Sequence, residues 1–358
     1  MKRQAVPVQE RKEMNLNVTS NSRINSHLTS SSLSTPMENF FNLKRIRLAN
    51  LSTPVERADQ LRKLIPGAPE IYIKRDDLTG YFGGGNKLRK LEYVMADALA
   101  TGATTVITNG SITSNLARTT ALVARRLGLK CVLVLNGGDP KSARANSRLA
   151  ELLDVKVYAV GSRKERDEKM DEIAATLEAE GERVYKIPLG ASNDVGSFGM
   201  VAALEELSVQ QLESGQQFDA IVLATSSGGT QAGLEVAKRL FGYEHLRIIG
   251  ISADDPSNEI KEAALKAVVP MLKKLGLPSF ISSDELTVDD SFTGSGYGVQ
   301  TNESNEAMEL FASAEGLLLD PVYTSKGAAG LIAYCRRGEF KRTDRVLFWH
   351  TGGLMTLM

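Results

Sequence analysis

From about residue 70 onward the chain alternates short Val- and Ile-rich runs with longer amphipathic stretches, and this alternation constrains the fold more than any other feature. Ile71–Lys74, Thr105–Thr108, Lys130–Leu135, Val155–Val160, Arg183–Ile187, Ala220–Ala224, Arg247–Ser252 and Val346–His350 read as strands. Their near-continuous apolar character suits strands covered on both faces, as in a parallel sheet. Between them, Lys87–Ala100, Asn115–Leu127, Arg163–Glu180, Gly199–Ser214 and Gly229–Phe241 carry helical periodicity. The pattern predicts an α/β protein with right-handed crossovers and helices on both faces of its sheets. At 358 residues the chain is long for one core, so two lobes are expected. In open α/β sheets ligands bind beyond the carboxyl ends of the strands, so the strand-to-helix loops are where chemistry is to be sought.

Bulk properties exclude several classes. Basic and acidic residues number 43 each, so no face for nucleic acid is expected. No apolar run reaches the 18 or so residues of a membrane span. The only cysteines, Cys131 and Cys335, sit in apolar or helix-like stretches and read as buried hydrophobes, which fits a reducing compartment. His27, His245 and His350 are too few and too scattered for a histidine metal site or a Ser-His-Asp triad. Residues 1–44 are rich in Ser, Asn and Thr, and read as a polar, disordered tail or an organellar targeting segment.

Three strand-to-helix junctions carry unusual residues. Gly83-Gly84-Gly85-Asn86-Lys87 gives a backbone that can come close to a ligand, followed at once by a lysine at a helix start. The positive end of the helix dipole disfavours that lysine's charge and lowers its pKa, which suits a Schiff-base amine. A solvated lysine in a Gly-rich turn explains the same residues. Thr108-Asn109-Gly110-Ser111-Ile112-Thr113-Ser114-Asn115 offers more hydroxyls than one N-cap needs, and the amides of the following helix suit a carboxylate or phosphate. Thr225-Ser226-Ser227-Gly228-Gly229-Thr230 after a strand makes a phosphate cradle. Its spacing is neither G-x-G-x-x-G nor a P-loop, although Asp254 and Asp255 follow the next strand as a ribose-binding acid would. A cradle without a dinucleotide signature points to a smaller phosphorylated cofactor. Tyr297 sits in the flexible Gly294–Gly298 loop, and Tyr323 and Thr324 precede a helix; packing alone explains either tyrosine.

Taken in order, Lys74-Arg-Asp-Asp-Leu-Thr, Gly84-Gly-Asn-Lys-Leu-Arg-Lys-Leu-Glu92, Gly228-Gly-Thr-Gln-Ala-Gly-Leu, Gly296-Tyr-Gly, Leu319-Asp-Pro-Val-Tyr-Thr324 and His350-Thr-Gly-Gly353 resemble fold type II of the pyridoxal-phosphate enzymes, the tryptophan-synthase-β superfamily. More narrowly, they resemble the D-cysteine desulfhydrase and aminocyclopropane-carboxylate deaminase family. The resemblance runs from about Leu51 to the C-terminus. It implies two lobes built on open, twisted, mainly parallel sheets: a large one from residues 45–95 and 205–358, and a small one from 96–204. It also implies pyridoxal 5′-phosphate in the cleft, a small amino-acid substrate, no metal and a homodimer. A cytoplasmic location is expected, with a transit peptide as the alternative.

Residue roles follow from the same resemblance. Lys87 would carry the cofactor as a Schiff base and shuttle protons, and Asn115 would hydrogen-bond its O3′. Ser227, Gly228, Gly229 and Thr230 would hold the phosphate. Ser114, with neighbouring amides at Asn115 and Leu116, would bind the substrate carboxylate or act as nucleophile or base. Tyr297 and Tyr323 would face the substrate. The deaminases carry Glu and Leu where this chain has Thr324 and Thr351. A glutamate near the pyridine nitrogen makes a stronger electron sink than a hydroxyl, so the threonines favour β-elimination over ring opening. The family's usual Gln-Ser-Asn-His (or Gln) is Thr113-Ser114-Asn115-Leu116 here, which replaces a polar group beside the substrate with an apolar one. The expected activity is α,β-elimination on D-cysteine, giving pyruvate, sulfide and ammonia. Cyclopropane deamination, cysteate desulfonation, β-replacement and racemisation are the rivals on the same cofactor. A non-catalytic binding protein and a dinucleotide oxidoreductase are rivals of other classes.

Overall fold

The computed structural model describes residues 34–81, 83–139 and 144–357. Its elements, in chain order, are α1 (Pro36–Phe41), β1 (Val55–Arg57), α2 (Asp59–Leu64), β2 (Glu70–Arg75), α3 (Asn86–Ala100), β3 (Thr105–Ser111), α4 (Asn115–Arg126), β4 (Lys130–Asn136), α5 (Arg144–Leu152), β5 (Lys156–Val160) and α6 (Arg163–Ala179). There follow β6 (Val184–Ile187), α7 (Phe198–Ser214), β7 (Ala220–Thr225), α8 (Gly229–Leu240), β8 (Arg247–Ser252), α9 (Ser257–Leu275), β9 (Thr287–Asp289), α10 (Asn302–Glu315), α11 (Thr324–Arg336) and β10 (Arg345–His350). All eight strands read from the sequence are present. The three-residue edge strands β1 and β9 escape a sequence reading because they carry no apolar run.

The strands form two sheets, as expected for an α/β chain of this length. The larger runs β1-β2-β10-β7-β8-β9, parallel except for β1 against β2; the smaller runs β5-β4-β3-β6 and is wholly parallel. Side-chain parity explains why the central strands read as unbroken apolar runs. Along β10, Leu347 and Trp349 enter a core with α7, α8 and α9, while Val346 and Phe348 enter a second core with α2, α10 and α11. In the smaller sheet, Cys131, Leu133 and Leu135 pack with α3 and α4, and Val132 and Val134 pack against Met170 and Ile173 of α6. Cys131 and Cys335 are both buried, as expected. The boundaries drawn at 95/96 and 204/205 fall inside α3 and α7.

The polar tail of residues 1–44 lies mostly outside the described residues. Its last part is packed: Thr35 and Glu38 form a capping box on α1, and Phe40 is buried beside Phe198 and Phe241. No helix among the described residues is long and apolar enough to cross a membrane.

Candidate active site

The three loops singled out by sequence meet at one cavity of about 980 Å³, beyond the carboxyl ends of β3 and β7. Lys87 lines it from the first turn of α3. The glycines before it are there for space. A Cβ on Gly84 would sit 1.9 Å from the Asp77 carbonyl oxygen, and Gly85 has a φ of 118°. The loop is tied down by Gly85 N donating to Asp76 O and to Thr79 Oγ1. Burial lowers the Lys87 amine to a pKa of about 8, with no carboxylate offsetting it. The expected lowering is present, and desolvation is its cause.

Behind Lys87, α3 is clamped by buried charge. Arg89 donates to both oxygens of Asp76 (2.8 and 2.9 Å) and both of Glu206 (2.9 and 3.0 Å). Lys74 Nζ reaches Glu206 at 2.6 Å, and Trp349 Nε1 donates to Asp76 at 2.8 Å. Burial pushes the Glu206 carboxyl up, but Arg89 and Lys74 outweigh it and hold it at about 2.

The second loop caps α4. Ser114 Oγ accepts from Ala117 N at 3.2 Å, and helix geometry leaves the other first-turn amides, at Asn115 and Leu116, without intrahelical acceptors. Asn115 Oδ1 is buried without a hydrogen-bond partner, so it is open to a donor or hydroxyl from a bound group. Leu116 lines the cavity and packs into the core of the smaller lobe, so an apolar wall does stand where the family's polar residue is replaced. Across the cavity, Tyr297 Oη lies 2.6 Å from Tyr323 Oη and 2.9 Å from Ser111 Oγ. Burial, then contact with Tyr297, pushes the Tyr323 phenol well above the ordinary tyrosine range.

The third loop opens α8. Gly228 has a φ of 73°, and a Cβ on it would lie 2.7 Å from Ala264 N. Ser227 Oγ is 2.8 Å from Ser192 Oγ, and Thr230 Oγ1 accepts from Asn86 Nδ2 at 2.8 Å. Lys90 Nζ, fully buried, donates to Gly190 O (3.1 Å) and Ser192 Oγ (3.2 Å). Burial and then the neighbouring Lys87 push its pKa well below the usual lysine value. A buried lysine with only neutral partners, beside hydroxyls at a helix N-terminus, is a donor set suited to a phosphate. The unpartnered hydroxyl of Thr225 at the end of β7 belongs to the same rim. The site therefore fits a phosphorylated carbonyl cofactor held between Lys87 and this cradle.

Two residues expected to contact the cofactor do not line the cavity. Gly229 N is hydrogen-bonded to Ser227 O at 2.9 Å and the residue does not line the cavity, because the tight turn consumes its amide. Thr324 is fully buried with its hydroxyl held by Asp320, donating to Oδ1 at 2.7 Å and accepting from Asp320 N at 2.7 Å. Of the two threonines, only Thr351 lines the cavity. Asp254 and Asp255, which a dinucleotide reading would use for a ribose, are bridged instead by Arg163, at 2.7 Å each.

Comparison with known proteins decides the family. The model described as pyridoxal-phosphate dependent enzyme matches residues 46–352. A Thermotoga maritima protein named "Putative 1-aminocyclopropane-1-carboxylate deaminase" is 40% identical over 318 residues, covering 87% of this chain and 97% of its own. The chain belongs to the pyridoxal-phosphate-dependent enzymes of the aminocyclopropane-carboxylate deaminase and D-cysteine desulfhydrase family. The crystal structure of an aminocyclopropane-carboxylate deaminase homologue superposes with a TM-score of 0.83 at 33% identity, over 91% of this chain and 97% of that one. A pyridoxal 5′-phosphate-dependent aspartate racemase shares the fold, with a TM-score of 0.62 at 18% identity over 85% and 90% of the two chains. Fold type II, two-sheet architecture and the cofactor pyridoxal 5′-phosphate thus hold for this chain.

Several residues around this family site carry no sequence signal of their own. Lys90 is an exception, since its i,i+3 spacing from Lys87 puts both on one face of α3. Ser192 arrives from the loop after β6, and Arg163 and Arg166 from the first turn of α6. Lys326, also buried, donates to the carbonyls of Ala253 (2.7 Å), Thr293 (2.7 Å) and Gly296 (3.1 Å), and so pins the loop that carries Tyr297.

Proposed function

We propose that the protein is a carbon–sulfur lyase that eliminates the β-substituent of a small amino acid, D-cysteine first among them. The observation that carries this reading is the pair Thr324 and Thr351: the Thr324 hydroxyl is held by Asp320, Thr351 lines the cavity, and neither position supplies the carboxylate that ring opening calls for. Bound pyridoxal 5′-phosphate supplies an electron sink for the charge left when the substrate's Cα proton is removed. Ser227, Gly228, Thr230 and, through Ser192, Lys90 hold the phosphate end. The Ser114 hydroxyl and the amides at the start of α4 bind the substrate carboxylate, and Asn115 Oδ1 orients the ring. Lys87, uncharged above about pH 8, takes the Cα proton. The Tyr297–Tyr323 pair, hydrogen-bonded to Ser111, supplies a proton on the opposite wall as the β-substituent leaves. With D-cysteine the C–S bond breaks, sulfide departs, and the enamine left behind hydrolyses to pyruvate and ammonia.

The names borne by the relatives favour a second reading, in which the substrate is 1-aminocyclopropane-1-carboxylate. Purified holoenzyme assayed with D-cysteine, L-cysteine and aminocyclopropane carboxylate separates the two. The proposal expects sulfide and pyruvate in equal amounts from D-cysteine. Release of a four-carbon 2-oxo acid from the cyclopropane, with no sulfide from either cysteine, would replace it with the second reading.

A further inference from the structure

The wall of the cavity formed by α6 is used by none of the steps above. Arg163, Arg166, Asp167 and Met170 lie on one face of that helix and all line the cavity. The charges there are unequally satisfied. Arg163 is committed: it spans to Asp254 and Asp255 beyond β8 and covers the Tyr297 ring, 5.5 Å from guanidinium carbon to centroid. Asp167 accepts from Asn109 Nδ2 at 2.5 Å. Arg166 is 9% exposed, yet its one hydrogen bond is from Nε to Arg163 O at 3.3 Å. Both of its terminal nitrogens are without an acceptor among the described residues. It stands close enough to Tyr297 and Tyr323 for their phenols to interact with it electrostatically, and burial followed by Arg163 lowers its pKa. A guanidinium keeps its proton at ordinary pH, and although the Asp167 carboxylate acts on Arg166 through space, its two terminal nitrogens keep donors free for an anion. The cofactor's phosphate is assigned elsewhere, to Ser227, Gly228 and Thr230 where α8 follows a strand of the larger sheet, whereas α6 packs on the smaller one.

We infer that Arg166 is a specificity-determining residue that receives an anionic group on the substrate's β-substituent, so that the site prefers amino acids bearing a thiolate, sulfonate or carboxylate beyond Cβ. The two phenols, which the proposed elimination places at the leaving β-substituent, lie within its electrostatic reach, and this puts the guanidinium on the β-substituent's side. Arg163 offsets only one of the two charges of Asp254 and Asp255, and one oxygen of Asp254 remains unpartnered, so these acids set the limit on how far such an anion can reach. The inference rests on the lyase reading for the identity of the substrate's leaving group, but not for the existence of the anion subsite.

Binding to the holoenzyme tests it directly. D- and L-aspartate and D- and L-cysteate are titrated against alanine of the same hand, followed by calorimetry and by the cofactor's visible spectrum, in wild type, Arg166→Met and Arg166→Lys. The expected result is that the anionic amino acids bind more tightly than alanine in wild type. Arg166→Met should lower that preference by about 30-fold or more, and Arg166→Lys should restore part of it. Equal affinity for aspartate, cysteate and alanine in wild type would overturn the inference. So would a loss in Arg166→Met that falls equally on alanine, because Arg166 would then serve the α-carboxylate. The lyase reading fails separately, if wild type releases no pyruvate from chloroalanine or D-cysteine while aspartate binding still depends on Arg166.

Discussion

A single lysine carries the chemistry, and its environment sets when it can act. An amine near pH 8 is mostly protonated at neutrality and becomes nucleophilic within the working range of an ordinary assay. Uptake of the cofactor by apoprotein should therefore speed up with pH and level off above about 8. A midpoint near the unperturbed lysine value of about 10.4 would show that burial does not set the pKa. The phenol pair gives a second expectation at this scale. Burial keeps the Tyr323 phenol protonated at rest, so Tyr323→Phe removes part of the proton-donating pair and should lower turnover by about 100-fold while leaving cofactor binding intact. Lys87, Ser114, Asn115, Ser227 and Tyr297 were all legible in the sequence, since each lies in a segment whose glycines and hydroxyls are too many for a plain turn. Ser192 and Arg166 were not: their meaning comes from what faces them across the cleft, which no local spacing encodes.

At the scale of elements, the site depends on helices being held rigidly at their starts. The clamp of Arg89, Asp76, Glu206, Lys74 and Trp349 fixes the end of α3 from which Lys87 projects. Arg89→Met should cost about 3–5 kcal/mol in denaturant unfolding, because Asp76 and Glu206 each lose two hydrogen bonds from a buried cation. Glu206 also gives the network a pH signature. Its folded pKa is depressed to about 2, so its contribution is complete above the unfolded carboxylate value of about 4.3 and fades as pH falls toward 2. Wild type should lose stability across that window more steeply than Glu206→Gln does. Lys326 does the same service for the Tyr297 loop, and Lys326→Met should raise KM more than it lowers thermal stability. The regular elements were legible because the sheets are covered on both faces. The helix α1 and the strands β1 and β9 were hidden: they are short, and they are held by contacts with distant residues such as Phe198 or by pairing at a sheet edge.

In the whole molecule, two sheets present the carboxyl ends of β3, β7 and β10 to one cavity. The large lobe supplies the lysine, the phosphate cradle and both tyrosines; the serine loop and the α6 arginines come from residues around the small sheet. That the motif-bearing loops follow strands and open helices was legible from strand–helix alternation. The bridge from Arg163 to Asp254 and Asp255 was not, because it joins segments some ninety residues apart. The central claim is that this cavity binds pyridoxal 5′-phosphate through Lys87. Borohydride reduction of the purified holoprotein, followed by peptide mass analysis, tests it most directly. The account predicts one pyridoxyl group on the peptide containing Lys87, with the visible absorbance lost on reduction and absent from Lys87→Ala. A label on any other lysine, or a Lys87→Ala protein that keeps the absorbance and its turnover, would contradict it.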